Sequence, residues 1–389
     1  MNTTEKGLIT LLKSAVLGES LPLPEGFSME DAMPQIKRHG IATLAYDGAA
    51  RCGVPRTDSA MQSLFQIYCR ALMVSERQMQ GINEIFAAFE KYGIDYMPLK
   101  GCNMKALYAQ PELRTMGDAD ILIRMEQYDR ISGIMTELGY EMQVESDHEL
   151  IWKSKKLMVE LHKRLIPSYN KDFYAYFGDG WQLATVRQEH RYFMQQEDEF
   201  IYLFTHFAKH FRDGGIGCRH VVDLWVWLRA NRGLNWDAVW AELDKLQLTQ
   251  FCKNICCLIN AWFEAGPTDE RLDFIGAYIL ASGNWGDLQS HHLSMGVRDM
   301  HGTSRSASAK VQYLWRASFP NMIAMGNLYP ILKKHPWLLP FTWIHRIFCK
   351  LFIRPVPMAR HTKVLEELSQ DKLDERRQAL EYMGIGYHF

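Results

Sequence analysis

Residues 94–165 differ in periodicity from the chain on either side, and this contrast most constrains the fold. The flanking segments repeat apolar residues at helical spacing, whereas this stretch holds short apolar runs separated by turns. Its last run, LMVELHKR at 157–164, alternates strictly, so that Glu160 faces away from Val159 and Leu161. We therefore predict a compact unit of strands and helices inside a mostly helical protein.

The order of elements in this unit is strand, helix, strand, helix and three further strands. The predicted strands are residues 94–99, 118–124, 140–146, 148–154 and 157–164. One helix is expected from Lys100 to about Ala109 and another from Met125 to Leu138. The fold class is α+β, with a small mixed sheet as its core.

The rest of the chain is predicted to be helical, including everything beyond about residue 170. A Gly/Ser-rich stretch, HGTSRSASAK at 301–310, separates a final basic and aromatic segment. The predicted regions are an N-terminal helical region (1–93), the α/β core (94–165), a helical domain closing the cleft (166–300) and a C-terminal basic-aromatic helical region (301–389).

The charge balance excludes some classes of protein. With 44 basic and 45 acidic residues among 389, the chain does not carry the excess of positive charge that general nucleic-acid binding requires. The eight cysteines have no framework spacing, which favours reduced thiols. No signal peptide and no run of about 18 apolar residues is present, so we expect a cytoplasmic protein.

Two aspartates stand at the start of the strand DADILIR. Asp118 and Asp120 are two residues apart, so their side chains project from the same face, and the apolar residues 121–123 anchor the strand in the core. Glu160, on a later strand, is the best-placed third carboxylate. Together the three are predicted to bind magnesium, in a two-ion site, and to be the catalytic residues.

A triphosphate also needs groups that contact its phosphates. The turn of Lys100 and Gly101 between a strand and a helix allows close backbone approach and supplies amide groups. Lys100 and Arg114 flank the acidic centre, where they either contact phosphates or neutralise the carboxylates before a metal binds.

A third group of polar residues lies further along the chain. His206, Lys209 and His210 share one face of an otherwise apolar helix. This face either looks into the cleft, with Lys209 near the β- and γ-phosphates, or forms a structural cluster with Arg219 and Asp223. Two histidines without a third ligand at a known spacing give little support for zinc.

In combination, these motifs resemble a known family. The pattern LKG…LY…P…LR…GDADILI…LGY…VELH, followed by HxxKH and VxDL, resembles the polymerase-β-like nucleotidyltransferase superfamily and, more narrowly, a bacterial family of uncharacterised nucleotidyltransferases. The resemblance implies metal carboxylates at Asp118, Asp120 and Glu160 and a glycine turn at Gly101. Many superfamily members have Ser or Gly after that glycine, whereas Cys102 stands here, so a phosphate-binding hydroxyl is missing.

The expected function is magnesium-dependent transfer of a nucleoside monophosphate to a hydroxyl of an unidentified acceptor. AMP, taken from ATP, is expected in preference to other nucleotides. Glu160 would complete the metal site and either act as base or orient the acceptor. The alternative is a non-catalytic nucleotide- or partner-binding protein that retains the fold.

One segment suggests a further partner. Residues 329–355 interleave large apolar side chains with lysine and arginine. They are expected either to contact a membrane surface weakly or to pack on the protein as a helical hairpin.

Overall fold

The structure, a computed structural model, describes residues 1–283, 288–300, 306–349, 352 and 364–387. Two predicted segments are therefore described only in part. Residues 301–305 of the Gly/Ser-rich stretch, and residues 350, 351 and 353–355 of the basic-aromatic segment, lie outside the described residues.

A mixed sheet forms the centre of the described chain. Its strands are β1 (Tyr96–Pro98), β2 (Asp118–Ile123), β3 (Glu141–Glu145), β4 (Glu149–Lys153), β5 (Met158–His162), β6 (Ala184–Gln188) and β7 (Arg191–Met194). The order across the sheet is β3-β4-β5-β2-β1-β7-β6. The parallel pair of β2 and β5 lies in the middle, whereas β1 is antiparallel to β2. The predicted α+β class is confirmed.

The hairpin of β6 and β7 was not predicted, because the chain beyond residue 170 was expected to be wholly helical. That expectation is wrong for residues 184–194. The two strands are short and partly exposed, so they carry little apolar alternation, and β7 is held in place by pairing with β1, Tyr96 opposite Arg191. A distant strand edge therefore provides the stabilisation that the local sequence does not indicate.

Six helices precede or interrupt the first strands. They are α1 (Thr3–Leu17), α2 (Met29–His39), α3 (Ala42–Arg51), α4 (Ser59–Lys91), α5 (Gly101–Met104) and α6 (Tyr128–Glu137). α4 packs Ile82, Ile85 and Phe89 against one face of the sheet, and α6 packs there too. α5 is much shorter than the helix predicted to reach Ala109, because the chain tightens into a 3-10 turn at Lys105–Leu107.

Further helices follow β5 in the chain, and one of them packs on the opposite face of the sheet. They are α7 (Lys171–Phe177), α8 (Gln196–Asp213), α9 (Cys218–Ala230), α10 (Trp236–Lys245), α11 (Thr249–Phe263), α12 (Glu270–Ser282), α13 (Leu288–Asp299), α14 (Ser306–Ser318), α15 (Met322–Leu328), α16 (Leu339–Phe348) and α17 (Gln370–Tyr382). Phe200 and Phe204 of α8 share a core with Met97 and Leu122 of the sheet. In the described parts of the chain, no helix is both long and apolar enough to cross a membrane.

Candidate active site

The register of β2 and β5 brings the acidic residues together. Asp120 lies directly opposite Glu160 across the parallel pair. Because side chains alternate along a strand, Asp118 and His162 project from the same face as these two. Ligand atoms of Asp120, Glu160 and His162 all lie within 4.8 Å of one another.

Asp120 is the centre of this cluster. It is buried, and its Oδ1 lies 2.9 Å from Lys100 Nζ and 2.9 Å from His162 Nε2. Burial opposes ionisation of the carboxyl, but the adjacent Lys100 charge and the His162 hydrogen bond hold its pKa below the usual range. Of the two roles predicted for Lys100, this contact is the one expected if the lysine neutralises the carboxylates before a metal binds.

Asp118 lies at the rim of the same cluster, where β2 begins. Burial and the negative charges of Asp120 and Glu160 raise the pKa of this carboxyl to about 7. The three carboxylates thus concentrate more negative charge than Lys100 offsets.

The turn before α5 approaches this centre closely. Lys100 has a φ of 38°, a conformation that residues other than glycine rarely adopt. A Cβ atom on Gly101 would lie 3.1 Å from Met116 Sδ and 3.2 Å from Arg114 Nη1. The amides of Cys102 and residue 103 donate to the carbonyls of Leu99 and Lys100, so they are already used within the turn.

A cleft of about 350 Å³ separates the carboxylates from α8 and α9. Lys100, Gly101 and Arg114 line it from the core. The side chains that line it from the two helices are Leu203, His206, Phe207, Lys209, His210, Arg219, His220, Asp223 and Leu224. The structure therefore brings every residue predicted for the site to one cleft, including Lys209.

The α8 wall of the cleft is basic in composition but only partly charged. Burial and the charge of Lys100 lower the pKa of Lys209 to about 8. Burial and neighbouring positive charges hold the pKa values of His206 and His210 well below the usual value, and their Nε2 atoms lie 3.1 Å apart. Neither histidine belongs to the metal-ligand cluster found in the described chain.

Arg114 forms a buried ion pair that joins the core to α9. Its guanidinium donates to both carboxylate oxygens of Asp223, at 2.9 and 3.1 Å, and Tyr108 Oη donates to the same carboxylate at 2.6 Å. Arg219, which the structural interpretation placed in a cluster with Asp223, donates to the carbonyl of Thr115 at 3.3 Å. Burial opposes ionisation of Asp223, but the positive charges of Arg114 and Arg219 lower its pKa.

Residues 25–264 match the model of a protein family described as uncharacterised nucleotidyltransferase. The chain belongs to this family. Comparisons with curated proteins and with solved structures found no match. The cleft and its lining residues fall wholly inside the matched region. Membership supports nucleotidyl transfer as the general function and suggests enzyme activity.

Nucleotidyltransferases generally use a divalent metal, and the cluster in this member of the family fits one. Carboxylate oxygens are the ligands that hard divalent cations prefer, and Asp120 and Glu160 supply them, while His162 Nε2 lies 2.9 Å from Asp120 Oδ1. His162 was not predicted as a ligand, although the alternation in VELH places it on the same side of β5 as Glu160. Its Nδ1 is buried without a hydrogen-bond partner among the described residues.

Among the cleft residues of this family member that were not predicted are two polar ones, His148 and Glu149. His148 Nε2 lies 2.9 Å from Glu149 Oε2 at the start of β4. Two other glutamates, Glu141 on β3 and Glu149 on β4, precede Glu160 in the chain. The structure separates them, because Glu141 is exposed on β3, Glu149 lines the cleft, and only Glu160 is paired with Asp120.

Proposed function

We propose that the protein transfers a nucleoside monophosphate to a hydroxyl group of an acceptor and releases pyrophosphate. The preferred nucleotide is ATP, from which AMP is transferred. The observation that carries this proposal is the pairing of Asp120 with Glu160 at the floor of a cleft whose far wall holds basic groups. Acidic residues that bind a metal and basic residues that bind phosphates are the two requirements of the reaction.

Asp118, Asp120 and Glu160 are the proposed catalytic and metal-binding residues, and magnesium the proposed ion, in a two-ion site. The ions would neutralise charge on the attacking and leaving oxygens. His162 holds Asp120 in position from the buried side. Glu160, which is less buried than Asp120, accepts the proton of the acceptor hydroxyl.

The triphosphate is proposed to lie between the turn at Gly101 and the α8 wall. Lys209 contacts its phosphates, and Lys100, which pairs with Asp120 in the free protein, would contact them once a metal ion binds that carboxylate. Gly101 permits close approach of the chain. Arg114 faces the same space, with its orientation fixed by Asp223. Because the amides after Gly101 are used within the turn, side chains carry most of the phosphate contact.

The proposed setting is the cytoplasm. All eight cysteines are free thiols, which suits a reducing compartment. Weak membrane contact through residues 329–355 is a separate proposal about partners, and the transfer reaction does not depend on it.

The test is to incubate the protein with magnesium, a pool of small-molecule and macromolecular acceptors, and ATP labelled either at the α- or at the γ-phosphorus. Nucleotidyl transfer moves the α-label and not the γ-label onto an acceptor. Asp120→Asn and Glu160→Gln should each reduce this transfer at least a hundredfold, because each removes a charged metal ligand.

Glu141→Gln is the matched control, since Glu141 lies on the same sheet but outside the cleft. It should transfer label at the wild-type rate. Transfer of the γ-label, or full activity of Asp120→Asn, would remove the proposal. Magnesium-dependent binding of ATP without transfer to any acceptor would favour the non-catalytic alternative.

A further inference from the structure

α16 presents an apolar face to solvent. Phe341, Ile344 and Phe348 recur at intervals of three and four residues, so they share one side of the helix, and their exposed fractions lie between 53% and 67%. Trp337 just before the helix and Phe352 just after it are equally exposed. An amphipathic helix in a water-soluble protein normally buries such a face.

The opposite side of α16 is already packed on the protein. Thr342 is buried, Trp343 Nε1 donates to the carbonyl of Pro320 at 2.8 Å, and Arg346 Nη1 donates to the carbonyl of Ala317 at 2.9 Å. These contacts fix the orientation of the helix. The opposite side of the helix, which carries Trp343 and Arg346, is bound to α14 and to the loop after it. The apolar face of α16 therefore points outward.

The exposed surface continues onto α14. The rings of Trp315 and Phe319 lie 4.6 Å apart, and those of Phe319 and Trp343 lie 5.4 Å apart. Trp315 is itself largely exposed. We call the exposed apolar side chains on α14, on α16 and beside α16 the outer face. It consists of Trp315, Trp337, Phe341, Ile344, Phe348 and Phe352.

The chain around the outer face has a pronounced charge bias. Residues 300–365 contain ten lysines and arginines and no aspartate or glutamate, although the whole chain has 45 acidic residues. Lys334, three residues before Trp337 in the chain, is exposed. Large apolar side chains in a segment of the chain that is rich in cations and free of anions are the combination that binds at the interface of an anionic lipid bilayer.

We propose that the outer face docks on the surface of an anionic membrane, with the aromatic and aliphatic side chains in the headgroup region. A second copy of the chain fits less well, because a symmetric contact would bring two cationic regions together. Nucleic acid would use the cations but would leave Ile344 and the phenylalanines without an apolar partner. The inference is independent of the transfer reaction.

The test is sedimentation of the full-length protein with vesicles of phosphatidylcholine alone or mixed equally with phosphatidylglycerol. We expect at least tenfold tighter binding to the mixed vesicles, and weakening by salt because surface charges are screened. The triple variant Phe341→Ser/Ile344→Ser/Phe348→Ser should lose at least tenfold in affinity. Lys334→Gln should lose about fivefold.

Leu72→Ser/Met73→Ser is the matched control, because it removes exposed apolar side chains from α4 instead. It should bind like the wild type, and circular dichroism should show all the variants folded. Equal binding to both kinds of vesicle, or full binding by the triple variant, would overturn the proposal. The proposal would also be overturned if the wild type formed a dimer in ultracentrifugation, or bound RNA, and the triple variant did not. Label transfer measured without vesicles reports on the proposed function separately.

Discussion

Lys209 is the residue at which the proposed phosphate binding and the stability of the protein oppose each other. It is buried in the cleft that also holds Lys100, and burial together with that second positive charge lowers its pKa to about 8. At neutral pH the ammonium is still charged, so the folded protein bears the cost of burying it. A triphosphate between the two lysines would offset that cost.

Replacing this lysine should therefore stabilise the free protein and weaken ligand binding. Lys209→Met should raise the free energy of unfolding at pH 7 by about 3 kcal/mol, an order-of-magnitude value from the lowered pKa, and weaken magnesium–ATP binding at least tenfold. Because the folded pKa is lowered, the wild-type penalty is fully present below pH 8 and disappears as pH rises to the unfolded value. Urea denaturation at pH 7 and pH 10, with calorimetry, measures both effects.

Lys105 offers a matched comparison. It is also buried, and burial, with the charge of Arg114, lowers its pKa to about 8, but it does not line the cleft. Lys105→Met should stabilise the protein similarly and leave ATP affinity unchanged. Equal loss of affinity in both variants would contradict the role assigned to Lys209.

At the scale of elements, the turn between β1 and α5 is the most constrained connection in the site. Gly101 lies where a side chain would press on Met116 and on the guanidinium of Arg114. The contacts are tight but involve flexible side chains, so a methyl group can be accommodated only by displacing them. The turn thus couples the backbone at Gly101 to the orientation of Arg114.

Gly101→Ala should destabilise the protein by about 1 kcal/mol. It should also reduce α-label transfer at least tenfold, because the added methyl group displaces Arg114 and keeps the phosphates further from the turn. Gly133→Ala is the control, since Gly133 is exposed within α6 and nothing lies within 4 Å of an added Cβ. That substitution should stabilise α6 slightly and leave activity intact. Thermal melting and the label-transfer assay distinguish the two; wild-type activity in Gly101→Ala would contradict the proposed approach of phosphate to this turn.

At the scale of the whole molecule, the cleft exists because two parts of the chain are held face to face. Arg114 comes from the loop before β2, and Asp223 comes from α9, more than a hundred residues later. Their ion pair is almost fully buried and shares a hydrogen bond with Tyr108. Removing one partner leaves a buried charge without compensation.

Asp223→Ala should accordingly lower the free energy of unfolding by about 3–5 kcal/mol. The double variant Arg114→Met/Asp223→Ala should lose less than Asp223→Ala alone, because the orphaned guanidinium is then absent. Chemical denaturation of the three proteins measures the coupling. Equal stability of the single and double variants would show that the pair does not hold the two parts together.

Much of the central sheet could be predicted from local pattern. β2 was expected at 118–124 and spans Asp118–Ile123, and β5 was expected at 157–164 and spans Met158–His162. A short apolar run specifies β2, and strict apolar alternation specifies β5. The hairpin at 184–194 has no such signal, and the limits of the four predicted regions stay predictions. His148 and Glu149 were missed as cleft residues because nothing local shows that β4 begins beside β5.

By itself the sequence determined which side chains share a face: Asp118 with Asp120, and Glu160 with His162. That follows from the two-residue period of a strand, which is a local property of the backbone. Only the tertiary structure decided that these side chains of β2 and β5 lie on the same face of the sheet, with Asp120 opposite Glu160 and Lys209 across the cleft. Register and helix packing depend on contacts between residues far apart in the chain, and no local pattern encodes the partner.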